Sequence, residues 1–146
     1  MGMEEKNKEF IRDLYQLYNR HDVDAANELF SPDFHIGDFT REQNKQLDTM
    51  LHTAFPDLKI TILDMIAEGD KVAYVVNATG THTGGPCFGV QPTGRKIDMT
   101  NTWIVRIVDN KIVEINGTGD TFSQFQQLGV LPSLPEAIQA YNESLK

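Results

Sequence analysis

The sequence contains one cysteine, Cys87, among 146 residues. A single thiol cannot form a disulfide within the chain, so other interactions must hold the fold together, and the composition fits a reducing compartment. Cys87 lies in the stretch GGPCFG, where no lysine, arginine or histidine adjoins it to lower its pKa. We therefore interpret Cys87 as a structural residue and not as a nucleophile.

Long apolar runs and an excess of positive charge are also missing. No stretch approaches the ~20 apolar residues that a membrane span needs, and the polar start MGMEEKNKEF does not resemble a secretory signal. We therefore expect a cytoplasmic protein with no membrane partner. The 13 basic and 21 acidic residues give a net charge of -8, which repels phosphate backbones and disfavours nucleic acid as a partner.

No linker, low-complexity tract or internal repeat divides the chain. We predict a single domain, 1–146, which at this length buries roughly 68 % of the surface of the unfolded chain. The four histidines show none of the spacings typical of metal sites, so we expect no metal or other cofactor. His21 and His52 are predicted to face solvent.

Apolar spacing predicts helices in the first third of the chain. Residues recur every three or four positions over 3–20, and a shorter helix is predicted over 23–30. A third helix begins at the capping box of Thr40 and Gln43 and ends before Pro56.

Period-two alternation after Pro56 predicts antiparallel strands, followed by two C-terminal helices. The predicted strands are 58–68, 71–83, 97–107 and 111–118, and the predicted helices are 121–128 and 135–145. In the third strand the odd-numbered residues form the core face, interrupted only by Asn101. A three-residue loop to the fourth strand keeps its apolar residues on that face, which places Trp103 opposite Ile115 and Asn101 opposite Gly117.

Several phrases of the sequence, in this order and spacing, are typical of one family. Between Phe55 and Pro132 they read FPDLKITILDMIAEGDKVAY, GTHTGGPCFGVQPTGRKI, RIVDNKIVEI and DTFSQFQQLGVLP. On these phrases the chain resembles the SnoaL-like polyketide cyclases of the NTF2-like superfamily. The resemblance implies an α+β cone: a curved antiparallel or mixed sheet that wraps on three N-terminal helices, with an extra C-terminal helix, around a mostly apolar cavity.

The resemblance also implies a function and an assembly. Members of this family close a ring of a polyketide ester by general acid/base catalysis, and related cones isomerise ketosteroids, open epoxides or only bind ligands. Dimers or larger assemblies through the outer sheet face are common. We therefore expect a small hydrophobic molecule as ligand and a homodimer or higher homo-oligomer.

Two positions depart from the family pattern. The family's ending W-D-x-x-D before QLG reads here as NGTGD, so that Gly117 replaces the first acid while Asp120 retains the second. Trp103 stands where the family often has an acid or histidine. A cyclase mechanism that depends on either position cannot operate here, and Asp120 is interpreted first as a helix N-cap.

Asp38 and His35 are the candidate catalytic residues. Asp38 follows a short extended segment, at a place where a related ketosteroid isomerase is expected to carry its proton-abstracting Asp. At the mouth of an apolar cavity its pKa would be raised, and its alternative role is a surface residue before the third helix. His35 could act as a base or donor near neutral pH. Strand alternation puts the two on opposite sides, so at most one should line the cavity.

Six residues are candidate ligand-binding residues: Asn101, Trp103, Tyr15, Tyr18, Asn77 and His82. A buried Asn101 amide without a partner would cost ~1 to 3 kcal/mol, so a ligand carbonyl, backbone, water or Asn77 must satisfy it. Trp103 either stacks on a planar ligand or fills the core, and the two tyrosines either offer hydroxyls to the cavity or pack. His82 either lies at the pocket rim or is bonded to backbone.

Three functions remain open at this point. The first is an enzyme that cyclises or isomerises a small carbonyl compound, with Asp38 as base and Asn101 orienting the ligand. The second is a non-catalytic protein that binds a hydrophobic metabolite, which Trp103 and Gly117 favour. The third is an assembly module whose cavity is plugged by side chains.

Overall fold

The computed structural model describes residues 2–146 and consists of three N-terminal helices, a sheet and two C-terminal helices. The helices are α1 (Met3–Asn19), α2 (Val23–Asn27), α3 (Arg41–Ala54), α4 (Thr121–Gln127) and α5 (Leu134–Ser144). The strands are β1 (His35–Ile36), β2 (Phe39–Thr40), β3 (Lys59–Glu68), β4 (Lys71–Thr81), β5 (Lys96–Val108) and β6 (Lys111–Thr118). The predicted α+β architecture is confirmed.

The starts of α3 and α4 follow the predicted caps. Thr40 accepts a hydrogen bond from Gln43 N, and the Gln43 side chain accepts one from Thr40 N, which completes the capping box of α3. Asp22 and Asp120 cap α2 and α4 by accepting from backbone N–H groups one turn later. The second helix ends at Asn27, one turn before its predicted end at residue 30.

The four long strands form an antiparallel sheet in the order β3-β4-β5-β6, and β1 pairs with β2 in a separate small hairpin. Helix α1 packs on the inner face of β3 and β4. The main core lies between them and includes Ile11, Leu14, Val72 and Val105, all buried. A second apolar cluster, which contains Phe55 and Leu128, joins the end of α3 to α4.

The predicted core face of β5 is confirmed, but the predicted register with β6 is wrong. Asp109 and Asn110 form a two-residue turn with φ of 52° and 57°, the left-handed geometry that suits a tight hairpin. Val113 is then an extra residue in β6, since Arg106 pairs with Glu114 and Ile107 pairs with Ile112.

The bulge keeps the apolar side chains of β6 on the core face. The predicted three-residue loop would have had the same effect on these side chains. Trp103 therefore lies opposite Gly117, not Ile115, and Asn101 lies beyond the last paired position of β6. Both side chains still belong to the inward-facing set of β5.

Helix α5 stands apart from the core. None of its residues is buried. Its residues Leu134, Ile138 and Tyr141, with Leu145 just beyond, are 51 % to 69 % exposed. No helix among residues 2–146 is long and apolar enough to cross a bilayer.

Candidate active site

A cavity of about 350 Å³ lies between α1, α3 and the inner face of the sheet. The small β1–β2 hairpin contributes Ile36 and Phe39 to its wall, and the start of α4 contributes Asp120 and Thr121. Most of the lining is apolar, from residues such as Leu14, Phe30, Leu47, Leu51, Ile97 and Met99. The cavity is open, whereas an assembly module was expected to have it plugged.

Asp48 is one of two carboxylates that line this cavity; the other, Asp120, caps α4. Asp48 lies on α3, lines the cavity and accepts a hydrogen bond of 2.9 Å from the Tyr18 hydroxyl. Burial raises the pKa of Asp48 to about 6, although the Tyr18 hydrogen bond acts in the opposite direction. Among residues 2–146, no lysine, arginine or histidine forms an ion pair with it. Asp48 is therefore a carboxyl group that can change protonation near neutral pH.

Two further tyrosine hydroxyls meet beside Asp48. The hydroxyl of Tyr15 on α1 donates to that of Tyr74 on β4 over 3.1 Å. The Tyr15 ring packs edge-on against both Tyr18 and Tyr74, with centroid distances of 5.4 and 5.5 Å. Burial raises the pKa of all three phenols, so that each keeps its proton at neutral pH.

His52 lies behind this cluster and is only 9 % exposed, so the prediction that it faces solvent is wrong. Its Nδ1 lies 2.8 Å from the carbonyl oxygen of Asp48, and its Nε2 lies 3.0 Å from that of Tyr18. Both neighbours accept hydrogen bonds, so a neutral ring can donate to only one of them. The ring links α3 to the end of α1 and thereby holds Asp48 and Tyr18 in place.

Asn101 and Trp103 line the other side of the cavity. Asn101 Oδ1 lies 3.4 Å from the backbone nitrogen of Asp120, which donates to it. The Asn101 amide nitrogen makes no hydrogen bond within the described residues 2–146, and its residue borders the cavity. It is thus a donor available to a ligand.

The Trp103–Gly117 pair explains why the family's first acid is absent. A Cβ at Gly117 would lie 2.2 Å from the carbonyl oxygen of Thr102 and 2.7 Å from Trp103 Cε3. No side chain fits at residue 117 unless β5 and β6 separate. Gly117 and Trp103 therefore supply no acid or base to this wall.

Four of the predicted site residues come together in the cavity: Tyr15, Tyr18, Asn101 and Trp103. His35 and Asp38 do not. Both are exposed; Asp38 lies in the turn between β1 and β2, and His35 borders a second groove, of about 370 Å³, with Arg106 and Glu114. Their neighbours Ile36 and Phe39 take the inward positions of the hairpin.

Asn77 does not reach the cavity. It pairs across the sheet with Thr100, on the outer face, while Val76 pairs with Asn101. Its Nδ2 donates to Asp98 Oδ1 over 2.6 Å and to the Met99 carbonyl over 3.2 Å. Strand alternation therefore excludes Asn77 as the partner of Asn101.

His82 is fully buried and lies away from the cavity lining. Its Nε2 is 2.7 Å from the Gly85 carbonyl, and its Nδ1 accepts from Thr93 N over 3.3 Å. These contacts tie both ends of the loop between β4 and β5 together. These contacts agree with the second possibility for His82, a histidine that is hydrogen-bonded to backbone.

Cys87 is buried in the same loop, and burial raises the pKa of its thiol. A raised pKa lowers the thiolate fraction, which agrees with a structural role.

Sequence reasoning missed Asp48, Asn44 and Tyr74. Asn44, Leu47, Asp48 and Leu51 are spaced i, i+3, i+4 and i+7, so they share the cavity-facing stripe of α3. Asn44 and Asp48 are polar residues within an apolar stripe, and Asn101 was recognised from the same kind of interruption. The Asn44 amide nitrogen is buried and finds no hydrogen-bond partner among residues 2–146.

Comparison with known proteins gives a consistent assignment of the fold and family. AclR, a candidate hydroxylase from Streptomyces galilaeus, is 28% identical, with a TM-score of 0.82 over 97% of this chain and 92% of its own. IdmH, a candidate polyketide cyclase from Streptomyces antibioticus, is 30% identical, with a TM-score of 0.70 over 85% of this chain and 99% of its own. A SnoaL-like protein from Jannaschia sp. CCS1, at 23% identity and a TM-score of 0.77 over 90% of this chain and 97% of its own, shows the same fold.

No curated protein matches the chain. The family model for SnoaL-like polyketide cyclases matches residues 8–128, which include every cavity-lining residue, from Leu14 to Gln124. The chain belongs to the SnoaL-like polyketide cyclase family.

Proposed function

We propose that this protein catalyses proton transfer next to the carbonyl group of a small, mainly apolar compound, in a cyclisation or isomerisation, with Asp48 as the base. The observation that carries the proposal is the position of Asp48: it faces an apolar cavity, has no cationic partner among residues 2–146, and burial raises its pKa to about 6. A base whose pKa lies near the working pH accepts and returns a proton efficiently.

The other cavity residues support this chemistry. Tyr18 holds one carboxylate oxygen of Asp48, which orients the other oxygen for proton transfer. Asn101 provides a free amide donor on the opposite wall, and Trp103 provides a flat surface against which a planar ligand can stack. IdmH is a candidate polyketide cyclase, which favours cyclisation as the reaction class.

A binding protein without catalysis is the second candidate. The absence of an acid at Gly117 and the presence of Trp103 favour it, because neither residue supplies an ionisable group to the cavity. The two functions differ in one respect: only catalysis requires an ionisable group at residue 48.

The test is α-proton exchange of 2-tetralone in D₂O, followed by proton NMR at neutral pH. Asp48→Asn keeps the acceptor for Tyr18 but removes the base, so we expect the rate above buffer to fall about 100-fold or more. Asp13→Asn, at an exposed residue of α1, is the matched control and should leave the rate unchanged. Asp38→Asn tests the alternative base.

Loss of exchange in Asp38→Asn with retention in Asp48→Asn would return the role of base to Asp38. Binding of 2-tetralone with no exchange above buffer by the wild type would favour the second candidate.

We also propose that the protein partner is a second copy of this chain. Four apolar residues, Leu134, Ile138, Tyr141 and Leu145, are spaced so that they form one stripe on α5. Leu63, Ile66 and Ile104 are exposed apolar residues on the sheet. A two-fold contact that covers the α5 stripe on each copy would remove these apolar side chains from water.

A further inference from the structure

Tyr74, like Asn44 and Asn101, offers the cavity a donor that has no acceptor among residues 2–146. Tyr15 and Tyr74 hydrogen-bond to each other through their hydroxyls, and both residues line the cavity. Two hydroxyls that share one hydrogen bond use one of their two hydrogens. With Tyr15 as the donor, the hydrogen of Tyr74 has no acceptor within residues 2–146.

We propose that the Tyr15–Tyr74 pair is the oxyanion-binding element of this cavity, in which Tyr74 donates to the carbonyl oxygen of the substrate. The inference rests on the proposed function. In the step, the C–H bond next to the carbonyl breaks and the proton goes to the carboxylate of Asp48. The electron pair forms a C=C bond, and the carbonyl oxygen takes the negative charge.

The surroundings of Tyr74 suit this role. Tyr74 is 2 % exposed, so water competes little for its hydroxyl. The hydrogen bond from Tyr15 makes the Tyr74 hydroxyl a stronger donor, because chains of hydrogen bonds polarise one another. Burial outweighs the opposing hydrogen bond from Tyr15 and, with a smaller contribution from the charge of Asp48, keeps the pKa of Tyr74 above its usual range, so the hydroxyl retains the proton that it donates.

The substrate class follows from the neighbours of Tyr74. Tyr74 pairs directly with Trp103 across the sheet, so their side chains lie on the same face. Asn101 lies two residues along β5 on that face. A compound whose carbonyl oxygen reaches Tyr74 therefore lies beside the Trp103 ring, which favours flat, fused-ring or conjugated ketones over flexible chains.

The test uses 2-naphthol, the aromatic counterpart of the enol of 2-tetralone. In Asp48→Asn, which removes the competing charge, ultraviolet absorbance would give the pH at which bound 2-naphthol ionises. Adding Tyr74→Phe should raise that pH by about one to two units, which corresponds to a tenfold to hundredfold loss of naphtholate affinity. Adding Tyr15→Phe should give a smaller rise in the same direction.

Naphthalene, which lacks the hydroxyl, is the control ligand. Its affinity should change less than about twofold in Tyr74→Phe, since that variant removes one oxygen and keeps the ring. Equal losses for both ligands, no change in the ionisation of bound 2-naphthol, or no binding of 2-naphthol would each overturn the oxyanion role.

The two proposals can fail separately. If the wild type does not exchange 2-tetralone while Tyr74→Phe still shifts the ionisation of 2-naphthol, the proposed reaction fails and the oxyanion site stands. If exchange requires Asp48 but Tyr74→Phe does not change the pH at which bound 2-naphthol ionises, only the oxyanion role fails.

Discussion

Replacing Asp48 with asparagine should stabilise the protein at neutral pH and have little effect in acid. The folded-state pKa of Asp48 is raised from 3.8 to about 6, so the ionised carboxylate is held at a cost. A shift of about two units corresponds to about 3 kcal/mol. This cost is fully present above the folded pKa, falls as the pH drops below about 6, and is nearly absent below about 4.

Urea denaturation of the wild type and Asp48→Asn between pH 4 and pH 8 measures this difference directly. We expect the variant to be more stable by about 3 kcal/mol at pH 8 and by about half of that at pH 5. Asp13→Asn, at an exposed position of α1, controls for the general effect of removing a negative charge. A stability difference for Asp48→Asn that does not vary with pH would refute the assignment of Asp48 as a half-buried carboxylate with a raised pKa.

Three further predictions concern packing and assembly. Gly117→Ala should lower the free energy of unfolding by more than about 2 kcal/mol, because its Cβ would lie 2.2 Å from the Thr102 carbonyl oxygen. Gly119→Ala is the control: the nearest atom to its Cβ is 3.4 Å away, so it should cost less than about 1 kcal/mol in the same denaturation assay. His52→Ala should cost about 2 to 4 kcal/mol, since it leaves a cavity and removes the link between α1 and α3; a cost near zero would contradict that link. Ile138→Glu with Tyr141→Glu should shift the chain to monomer in light scattering, whereas Gln139→Glu should not; an unchanged mass would exclude α5 from the interface.

Local signals allowed most of the elements to be predicted. The capping box of Thr40 and Gln43 marked the start of α3, and Gly69 marked the β3–β4 hairpin, where it adopts a φ of 59°. These features depend on residues close in sequence. The side chains of β5 could be assigned to two faces because alternation is a property of a single strand.

The register between β5 and β6 depended on a residue that gives no local signal. Val113 is the bulged residue, and its apolar side chain suits a regular strand equally well. A bulge and a longer loop both preserve the parity of the apolar residues, so the sequence could not distinguish between them.

The site was predicted only in part, because some of its residues depend on contacts between elements that are distant in sequence. Tyr15, Tyr18, Asn101 and Trp103 were identified because they lie on clear faces of a helix and a strand. Asp48 was not, because a carboxylate on a helix is more often exposed, and its burial depends on Tyr18 of another helix. Asp38 was preferred on resemblance, but a two-residue turn in the β1–β2 hairpin leaves it exposed.

The pH dependence of 2-tetralone exchange tests the role of Asp48 most directly. The wild-type rate above buffer should rise with pH and level off, with a midpoint near 6 where Asp48 loses its proton, and Asp48→Asn should lack this rise. A wild-type rate with no inflection near pH 6, or the same profile in both proteins, would contradict the account.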